Sequence, residues 1–195
     1  MKKSFLSLAF ALVISTLAFS QTSTNTITTI KPLDEQLRHI DSVPDYAAKK
    51  QPFVLSGILY LEDGVTPAVN HILTINQADD NGDYVFSKVG KHKILKHRAQ
   101  VVTNADGKYA FYTFIPGGDR LYNQLREIYI KVETPEGMEY ALPTLFFDND
   151  PFLSKRCRKK LIKRQEQDRI LKLNKTNGKQ YVTKMIVISK SDPLQ

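Results

Sequence analysis

Short runs of β-branched and aromatic residues, separated by turn motifs, dominate the sequence from Pro52 onward. The turn segments carry Gly, Asp and Asn in combinations that favour tight turns, as in Asn104-Ala105-Asp106-Gly107. No long helical pattern alternates with the runs, which argues against a parallel α/β sheet. The pattern therefore predicts an all-β, antiparallel, immunoglobulin-like β-sandwich. Its strands are expected at residues 53–61, 71–77, 99–103, 109–114, 128–133, 140–147 and 181–189.

The first 20 residues have the pattern of a signal peptide. Lys2 and Lys3 precede an uncharged stretch at residues 5–19, and small residues at the end of this stretch fit cleavage after Ser20. The stretch is shorter than the roughly 20 apolar residues that a membrane-spanning helix needs. We therefore expect an exported protein, periplasmic or secreted, with no membrane span after cleavage.

A polar leader and a basic segment accompany the sandwich, which we place at residues 50–190. The leader covers residues 21–49 and is expected to contain a short N-terminal helix, because Leu33, Leu37 and Ile40 have helical spacing. Near the C-terminus, residues 170–173, the turn pair Asn177-Gly178 and the run at residues 181–189 predict a closing hairpin.

The basic segment accounts for the charge of the chain, whose formal net value is +8. Residues 155–175 hold ten Lys and Arg residues against Glu166 and Asp168, and contain no Gly or Pro. This composition predicts a basic helix over residues 154–168, inserted before the last strands. The helix either lies solvated on the sandwich or binds an anionic polymer or lipid headgroups. No aromatic residues interleave the charges, which argues against nucleic acid as a partner.

Common catalytic motifs are absent from the sequence. It contains no Walker loop, no G-x-G-x-x-G, no H-E-x-x-H and no G-x-S-x-G. The stretch Asp79–Asp83 resembles a calcium loop, but its Gly comes two positions early, so we interpret it as a turn. His92 and His97 lie in a basic loop and are interpreted as loop side chains rather than metal ligands. Cys157 is the only cysteine, which excludes an intrachain disulfide.

Five motifs follow one another in a familiar order between residues 50 and 190. The motifs are the glycine-bearing run Leu55–Leu59, the corner Gln77–Asp79 with Gly82-Asp83-Tyr84, the hairpin His97–Phe111, the segment Thr113–Gly117 and the segment Thr144–Pro151. Together they resemble the signature of the intradiol ring-cleavage dioxygenases, and this resemblance implies the same β-sandwich.

The resemblance also implies a chemistry. Members of this family hold Fe(III) with two tyrosinates and two histidines, and use O₂ to open an aromatic diol between its hydroxyl groups. Ferric iron is a hard cation that suits phenolate oxygen. Carried over by motif, the metal-binding tyrosines are Tyr84 and Tyr122, and Arg126 stands where an arginine assists the bound diol.

The chain departs from the family at the two histidines. Their positions hold Tyr129 and Lys131, and an alignment shifted by two residues places Glu127 and Tyr129 there instead. Thr144 replaces a glutamine of the family motif and is a further candidate pocket residue. A lysine with an ordinary pKa of about 10.4 is a cation and repels Fe(III).

Three hypotheses follow from this departure. In the first, the pocket is altered and metal-free, and binds a small aromatic ligand. In the second, a rearranged ferric centre uses the three tyrosines together with Glu127 or His97, and Fe(III) is the cofactor. In the third, the protein is a non-catalytic secreted sandwich with a structural or adhesive role.

Strand alternation gives the candidate site an expected geometry. It places Glu127, Tyr129 and Lys131 on one face of a strand, while Ile128 and Ile130 face the core. Under the family resemblance, this strand passes beside the turn that carries Tyr84. We therefore expect Tyr84 to share one polar cleft with the outward-facing residues.

Overall fold

The computed structural model of the protein describes residues 38–119 and 121–188. Within these residues the chain forms β-strands, one α-helix and two short 3-10 turns. The helix α1 spans Lys155–Lys163, and the 3-10 turns span Tyr46–Ala48 and Gln167–Arg169. The strands are β1 (Ile40–Ser42), β2 (Pro52–Tyr60), β3 (Ile72–Gln77), β4 (Phe86–Val89), β5 (His92–Leu95), β6 (Arg98–Val102), β7 (Lys108–Phe114), β8 (Glu127–Glu133), β9 (Glu139–Phe147), β10 (Ile170–Leu171), β11 (Asn174–Thr176), β12 (Lys179–Thr183) and β13 (Ile186–Val187).

Two sheets form the sandwich. The first has the strand order β1-β7-β2-β12-β11, and β13 also pairs with β2. The second has the order β10-β9-β8-β3-β6, and β4 and β5 form a separate hairpin. The all-β class predicted from the sequence is confirmed. Every predicted run coincides with an observed strand, and the last run is divided between β12 and β13.

The core lies between the sheets because the strands turn alternate apolar side chains inward. Leu55 and Leu59 of β2 are fully buried on one side, and Ile128 of β8 is fully buried on the other. Phe53 meets Phe147 of β9 edge-on, with ring centroids 5.7 Å apart. Complete burial of a side chain of this size stabilises a fold by about 1.5–3 kcal/mol.

Most strand pairs of the sandwich are antiparallel, and four pairs are parallel. β1 runs parallel to β7, β10 to β9, and both β12 and β13 to the central strand β2. Parallel strands need long connections, and these pairs join distant parts of the chain. The predicted antiparallel sandwich is therefore confirmed for the main strand pairs and differs from the structure at these four pairs, because the apolar pattern of a strand does not encode its partner's direction.

The basic helix is shorter than predicted. Ser154 caps its start by accepting a hydrogen bond from the Cys157 N–H at 3.2 Å. The helix ends at Lys163 rather than at residue 168, because Gln165 adopts a left-handed φ of 59°. A closing hairpin with its turn at Asn177-Gly178 is present as β11 and β12. Its first strand was predicted at residues 170–173, but Ile170 and Leu171 form β10, which pairs with β9 instead.

The signal peptide and most of the polar leader, residues 1–37, lie outside the described residues. The predicted N-terminal helix begins there, at Leu33 and Leu37. Its last residue, Ile40, starts strand β1 instead, so the helix prediction was wrong at that end. In the part of the chain that the structure describes, no helix is long and apolar enough to cross a membrane.

Candidate functional site

Tyr84 is positioned by a tight loop that follows β3. The Oδ1 atom of Asp79 accepts a hydrogen bond from the Asp83 N–H at 2.9 Å and closes the loop. The Gly117 N–H donates to the Asp79 carbonyl oxygen at 2.7 Å and ties the loop to the segment after β7. A Cβ atom on Gly117 would lie 2.3 Å from the Gly82 nitrogen, so only glycine permits this approach. The motif that ends at Tyr84 and the motif Thr113–Gly117 are therefore held against each other.

Strand β8 presents the other candidate residues on its outer face. Ile128 and Ile130 are buried in the core, while Tyr129 between them is 42% exposed. Glu127 and Lys131 are half-buried and share the outer face with Tyr129. The alternation predicted from the sequence is confirmed for this strand.

Tyr84, Tyr129 and Glu127 lie in contact with one another, and we call them the tyrosine cluster. The rings of Tyr84 and Tyr129 lie with their centroids 6.4 Å apart and are tilted by 52°. Tyr129 donates its hydroxyl hydrogen to Glu127 Oε2 at 2.5 Å.

Electrostatics keep both phenols of the tyrosine cluster protonated. Burial raises the pKa of Tyr84, and the charge of Glu127 adds to this effect. The pKa of Tyr129 is raised well beyond its usual range, first by burial and then by its hydrogen bond to Glu127. At neutral pH the tyrosine cluster is therefore a set of two neutral phenols beside one carboxyl group.

Lys131 shares the outer face of β8 but has a different partner. Its Nζ atom lies 2.5 Å from Oε1 of Glu139 on the neighbouring strand β9. The ion pair is partly exposed, with a third of each side chain accessible to solvent. Of the residues expected to share one cleft, Tyr84, Tyr129 and Glu127 lie in contact, while the ammonium group of Lys131 pairs with Glu139 instead.

Arg126 immediately precedes β8 and is anchored through its backbone. Its N–H donates to Oδ2 of the buried Asp150 at 2.8 Å. The second carboxylate oxygen of Asp150 accepts from the Phe152 N–H at 2.8 Å. The Nε atom of Arg126 is buried and has no hydrogen-bond partner among the described residues. Sequence reasoning missed the role of Asp150, although the Asp150-Pro151 motif was a signal for it.

Two candidate residues lie apart from the tyrosine cluster. Tyr122 is 77% exposed, and within the described chain no hydrogen bond or ring contact joins it to Tyr84 or Tyr129. Thr144 lies on β9 where the pairing with β8 shifts its register. Its carbonyl oxygen accepts a hydrogen bond from Arg169 Nε at 2.9 Å, so its observed contact is with the 3-10 turn Gln167–Arg169.

His97 faces the interior of the sandwich. It is 2% exposed and meets the Phe114 ring edge-on at 5.2 Å. Among the described residues, neither ring nitrogen has a hydrogen-bond partner. Burial lowers the pKa of His97, so the ring is neutral in the folded protein. His97, Ala99 and Val101 are spaced two residues apart and are all buried, so they share the core face of the second sheet. Tyr129 lies on the opposite, outer face of that sheet.

Comparison with solved structures decides the fold of this chain. No protein-family model matches the sequence, and no curated protein matches it. The dioxygenase domain of a dioxygenase–carbohydrate-binding protein fusion from Streptomyces sp. SirexAA-E is similar over 75% of this chain and 85% of that one, with 19% identity and a TM-score of 0.56. An intradiol ring-cleavage dioxygenase from Tetranychus urticae is similar over 83% and 92%, with 16% identity and a TM-score of 0.58. The chain has the intradiol dioxygenase fold.

The same fold recurs in a larger enzyme. Catechol 1,2-dioxygenase from Acinetobacter sp. ADP1 matches 76% of this chain with 13% identity and a TM-score of 0.54. This chain spans 56% of the length of that enzyme. The family resemblance seen in the sequence is thus confirmed at the level of the fold.

The ferric centre implied by the resemblance does not fit the residues present. Tyr122 is 77% exposed and, among the described residues, makes no hydrogen bond or ring contact with Tyr84, and the two histidine positions hold a protonated phenol and an ion-paired ammonium group. In residues 38–119 and 121–188, no group of three or more His, Cys, Asp or Glu side chains is placed to hold a metal ion. We therefore assign no step to iron.

The tyrosine cluster has a clear chemical capacity of its own. Two hydroxyl groups and a carboxyl group lie side by side and can donate to and accept from a polar ligand group. The exposed part of the Tyr129 ring adds an aromatic surface. The tyrosine cluster therefore offers an aromatic face together with hydroxyl and carboxyl hydrogen-bonding groups.

Proposed function

We propose that this exported protein binds a small hydroxylated aromatic molecule at the tyrosine cluster and does not cleave it. Its intradiol dioxygenase fold is retained, while Fe(III)-dependent ring cleavage is lost. One observation carries the proposal: at the position of a family histidine, the protonated Tyr129 hydroxyl donates a hydrogen bond to Glu127 Oε2 at 2.5 Å.

Loss of iron chemistry is supported by charge and proton balance. Fe(III) binding at Tyr129 requires release of a phenolic proton that burial and Glu127 both retain. The neighbouring histidine position carries the positive charge of Lys131, which repels a trivalent cation. Glu139 balances this charge through an ion pair that does not need a metal.

Ligand binding is supported by the composition of the tyrosine cluster. A phenol or catechol can donate its hydroxyl hydrogen to Glu127 and accept one from a tyrosine. Each such hydrogen bond contributes about 1 kcal/mol, which corresponds to roughly five-fold in affinity. Catechol is the natural probe, because one structural relative is a catechol 1,2-dioxygenase.

The experiment combines metal analysis with a binding titration. We expect purified protein to contain far less than one iron atom per chain, to be colourless and to consume no O₂ with catechol. Catechol should bind saturably in calorimetry, and Tyr129→Phe should weaken binding by about five-fold. Tyr122→Phe is the matched control, since it removes the same hydroxyl group from an exposed ring, and it should leave the affinity unchanged.

Two results would contradict the proposal. Stoichiometric iron with a visible tyrosinate-to-iron absorption band would support a rearranged ferric centre instead, and O₂ uptake with catechol would make that centre catalytic. Absence of catechol binding in an iron-free protein would exclude the tyrosine cluster as a phenol site.

Export is a separate part of the proposal and rests on the N-terminal sequence pattern. Cleavage after Ser20 predicts a mature chain that starts at Gln21. Mass spectrometry of protein from the native host should find this N-terminus outside the cytoplasm. An intact Met1 on the mature protein would contradict it.

A second candidate function is a non-catalytic interaction module. The β4–β5 hairpin favours it, because Phe86 and Val89 are each 57% exposed there. The two side chains project from opposite faces of β4, so both faces of the hairpin expose apolar surface, and larger exposed apolar surface marks protein contacts. This candidate predicts that catechol does not bind and that the chain self-associates in sedimentation experiments, with Phe86→Ser reducing the association.

A further inference from the structure

A cavity of about 220 Å³ opens between the two sheets, at the edge where β9 of the second sheet faces β13 of the first. Its inner wall is formed by core residues, including Ile130, Leu142 and Leu145 of the second sheet. Ile186 and Met185 form the opposite wall. The apolar core of the sandwich is therefore accessible at this edge.

The segment Glu166–Arg169, which we call the strap, crosses the mouth of the cavity. On one side, Arg169 Nε donates to the Thr144 carbonyl oxygen of β9 at 2.9 Å. On the other side, Lys184 Nζ donates to the Asp168 carbonyl oxygen at 2.9 Å and pairs with the Asp168 carboxylate at 2.5 Å. The strap thus joins the two sheets where no strand pairing does so.

The charges at the mouth neutralise one another. Arg169 pairs with Glu166 at 2.7 Å, and Lys184 pairs with Asp168. Both partners of each ion pair line the cavity. Each of these four charged groups therefore already has a partner of opposite charge. A charged ligand would enter the cavity without a partner and would lose its hydration.

From the apolar wall, the balanced mouth and the volume, we infer that this cavity binds a small uncharged apolar molecule, of the size of a monocyclic aromatic hydrocarbon. Apolar cavities of about 150 Å³ are large enough to bind benzene. A cavity of about 220 Å³ accepts a ring with a short substituent.

The cavity is distinct from the tyrosine cluster. Ile130 contributes to the cavity from the core face of β8, whereas Tyr129 projects from the outer face of the same strand. Hydroxyl recognition at the tyrosine cluster and apolar binding in the cavity therefore use different groups. Failure of catechol to bind at the tyrosine cluster would therefore not contradict toluene binding in the cavity, and the reverse also holds.

The two methionines of the described chain allow a direct test. Met185 lines the cavity and is 51% exposed, while Met138 lies in a distant turn and is 48% exposed. Protein labelled with ¹³C on the methionine methyl groups is titrated with toluene and followed by NMR. We expect the Met185 signal to shift saturably and the Met138 signal to stay in place.

Charged analogues and variants complete the experiment. Benzoate and benzylammonium should bind at least about ten-fold more weakly than toluene, because each brings an unpaired charge. Met185→Trp should fill the mouth and weaken toluene binding by about ten-fold or more, while Met138→Trp should change it by less than about two-fold. Tyr129→Phe should have no effect on toluene.

Three outcomes would overturn the inference. They are equal, non-saturable shifts of both methyl signals, equal binding of toluene and benzoate, and an unchanged toluene affinity in folded Met185→Trp. The wild-type titration decides the matter alone if the tryptophan variant does not fold.

Discussion

Replacing Gly57 by alanine should destabilise the fold strongly, although Gly57 lies in the middle of a strand where alanine is usually tolerated. A Cβ atom at this position would lie 1.8 Å from the Lys184 carbonyl oxygen. That oxygen belongs to the backbone, so the contact cannot be relieved by a side-chain rotation. The Lys184 segment must move away from β2.

The magnitude follows from the hydrogen bonds that this movement breaks. Tyr109 donates its hydroxyl hydrogen to the Lys184 carbonyl at 2.7 Å, and the Lys184 N–H donates to the Ser56 carbonyl at 2.8 Å. A buried hydroxyl left without a partner costs about 1–3 kcal/mol, and the backbone bond adds about 1 kcal/mol. Alanine recovers about 0.5–1 kcal/mol by restricting the unfolded chain. The net loss is about 1–3.5 kcal/mol.

Urea denaturation followed by circular dichroism measures this loss as a change in the free energy of unfolding. Gly90→Ala is the control, because a Cβ there meets nothing within 4 Å and only its φ of 59° resists the change. The control should lose about 1 kcal/mol from the left-handed backbone alone. If Gly57→Ala were as stable as Gly90→Ala, the close approach of Lys184 to β2 would be refuted. Since Lys184 also lines the cavity, Gly57→Ala should weaken toluene binding as well.

Three further predictions concern other parts of the chain. The double substitution Tyr129→His and Lys131→His should raise the affinity for Fe(III), measured by metal titration, and no gain would mean that the scaffold has lost more than its ligands. Burial lowers the pKa of His97, so on acidification the unfolded chain binds a proton at His97 at a higher pH than the folded protein does. The free energy of unfolding should therefore fall as the pH drops below about 6.5, by up to about 1.4 kcal/mol per pH unit. His97→Leu should reduce that slope in urea denaturation at about pH 7.5 and about pH 5.5, and an unchanged slope would assign it to other groups. Charge reversal of three exposed lysines of α1 should change the free energy of unfolding by no more than about 0.5 kcal/mol, since none has an ion pair in the described chain. A larger loss would show that the aliphatic parts of these side chains pack on the sandwich. These lysines are Lys159, Lys160 and Lys163.

The sequence predicts the main strands well because their apolar residues alternate and their turns carry Gly, Asn or Asp. It does not predict the β4–β5 hairpin, where Lys and His residues interrupt the alternation and no core covers either face. The strand β1 was also missed, since the apolar residues ending at Ile40 fit a helical spacing. Its three residues are fixed by pairing with β7, a tertiary contact that the local pattern does not contain.

The candidate site was predictable where it depends on strand alternation. The placement of Glu127 and Tyr129 on one face follows from the period of two residues, and the approach of Tyr84 follows from the family-like motifs. The partner of Lys131 was not predictable, because Glu139 reaches it diagonally across two strands whose register only the folded chain defines. The exposure of Tyr122 was not predictable either, because the motif alignment does not show where the residues inserted after Pro116-Gly117 carry it.

The parallel pairing of β12 and β13 with β2 has a consequence for how the chain reaches this fold. Leu55 pairs with Val182, and Leu59 pairs with Ile186. The central strand β2 therefore completes its pairing with residues more than a hundred positions later in the chain. Contacts of such long sequence separation slow folding, because the loop must close before they stabilise anything. During synthesis, the edge of β2 stays unpaired until the C-terminal segment has emerged. A chain truncated before β12 would keep that edge open, with its backbone N–H and C=O groups free to recruit strands from other molecules.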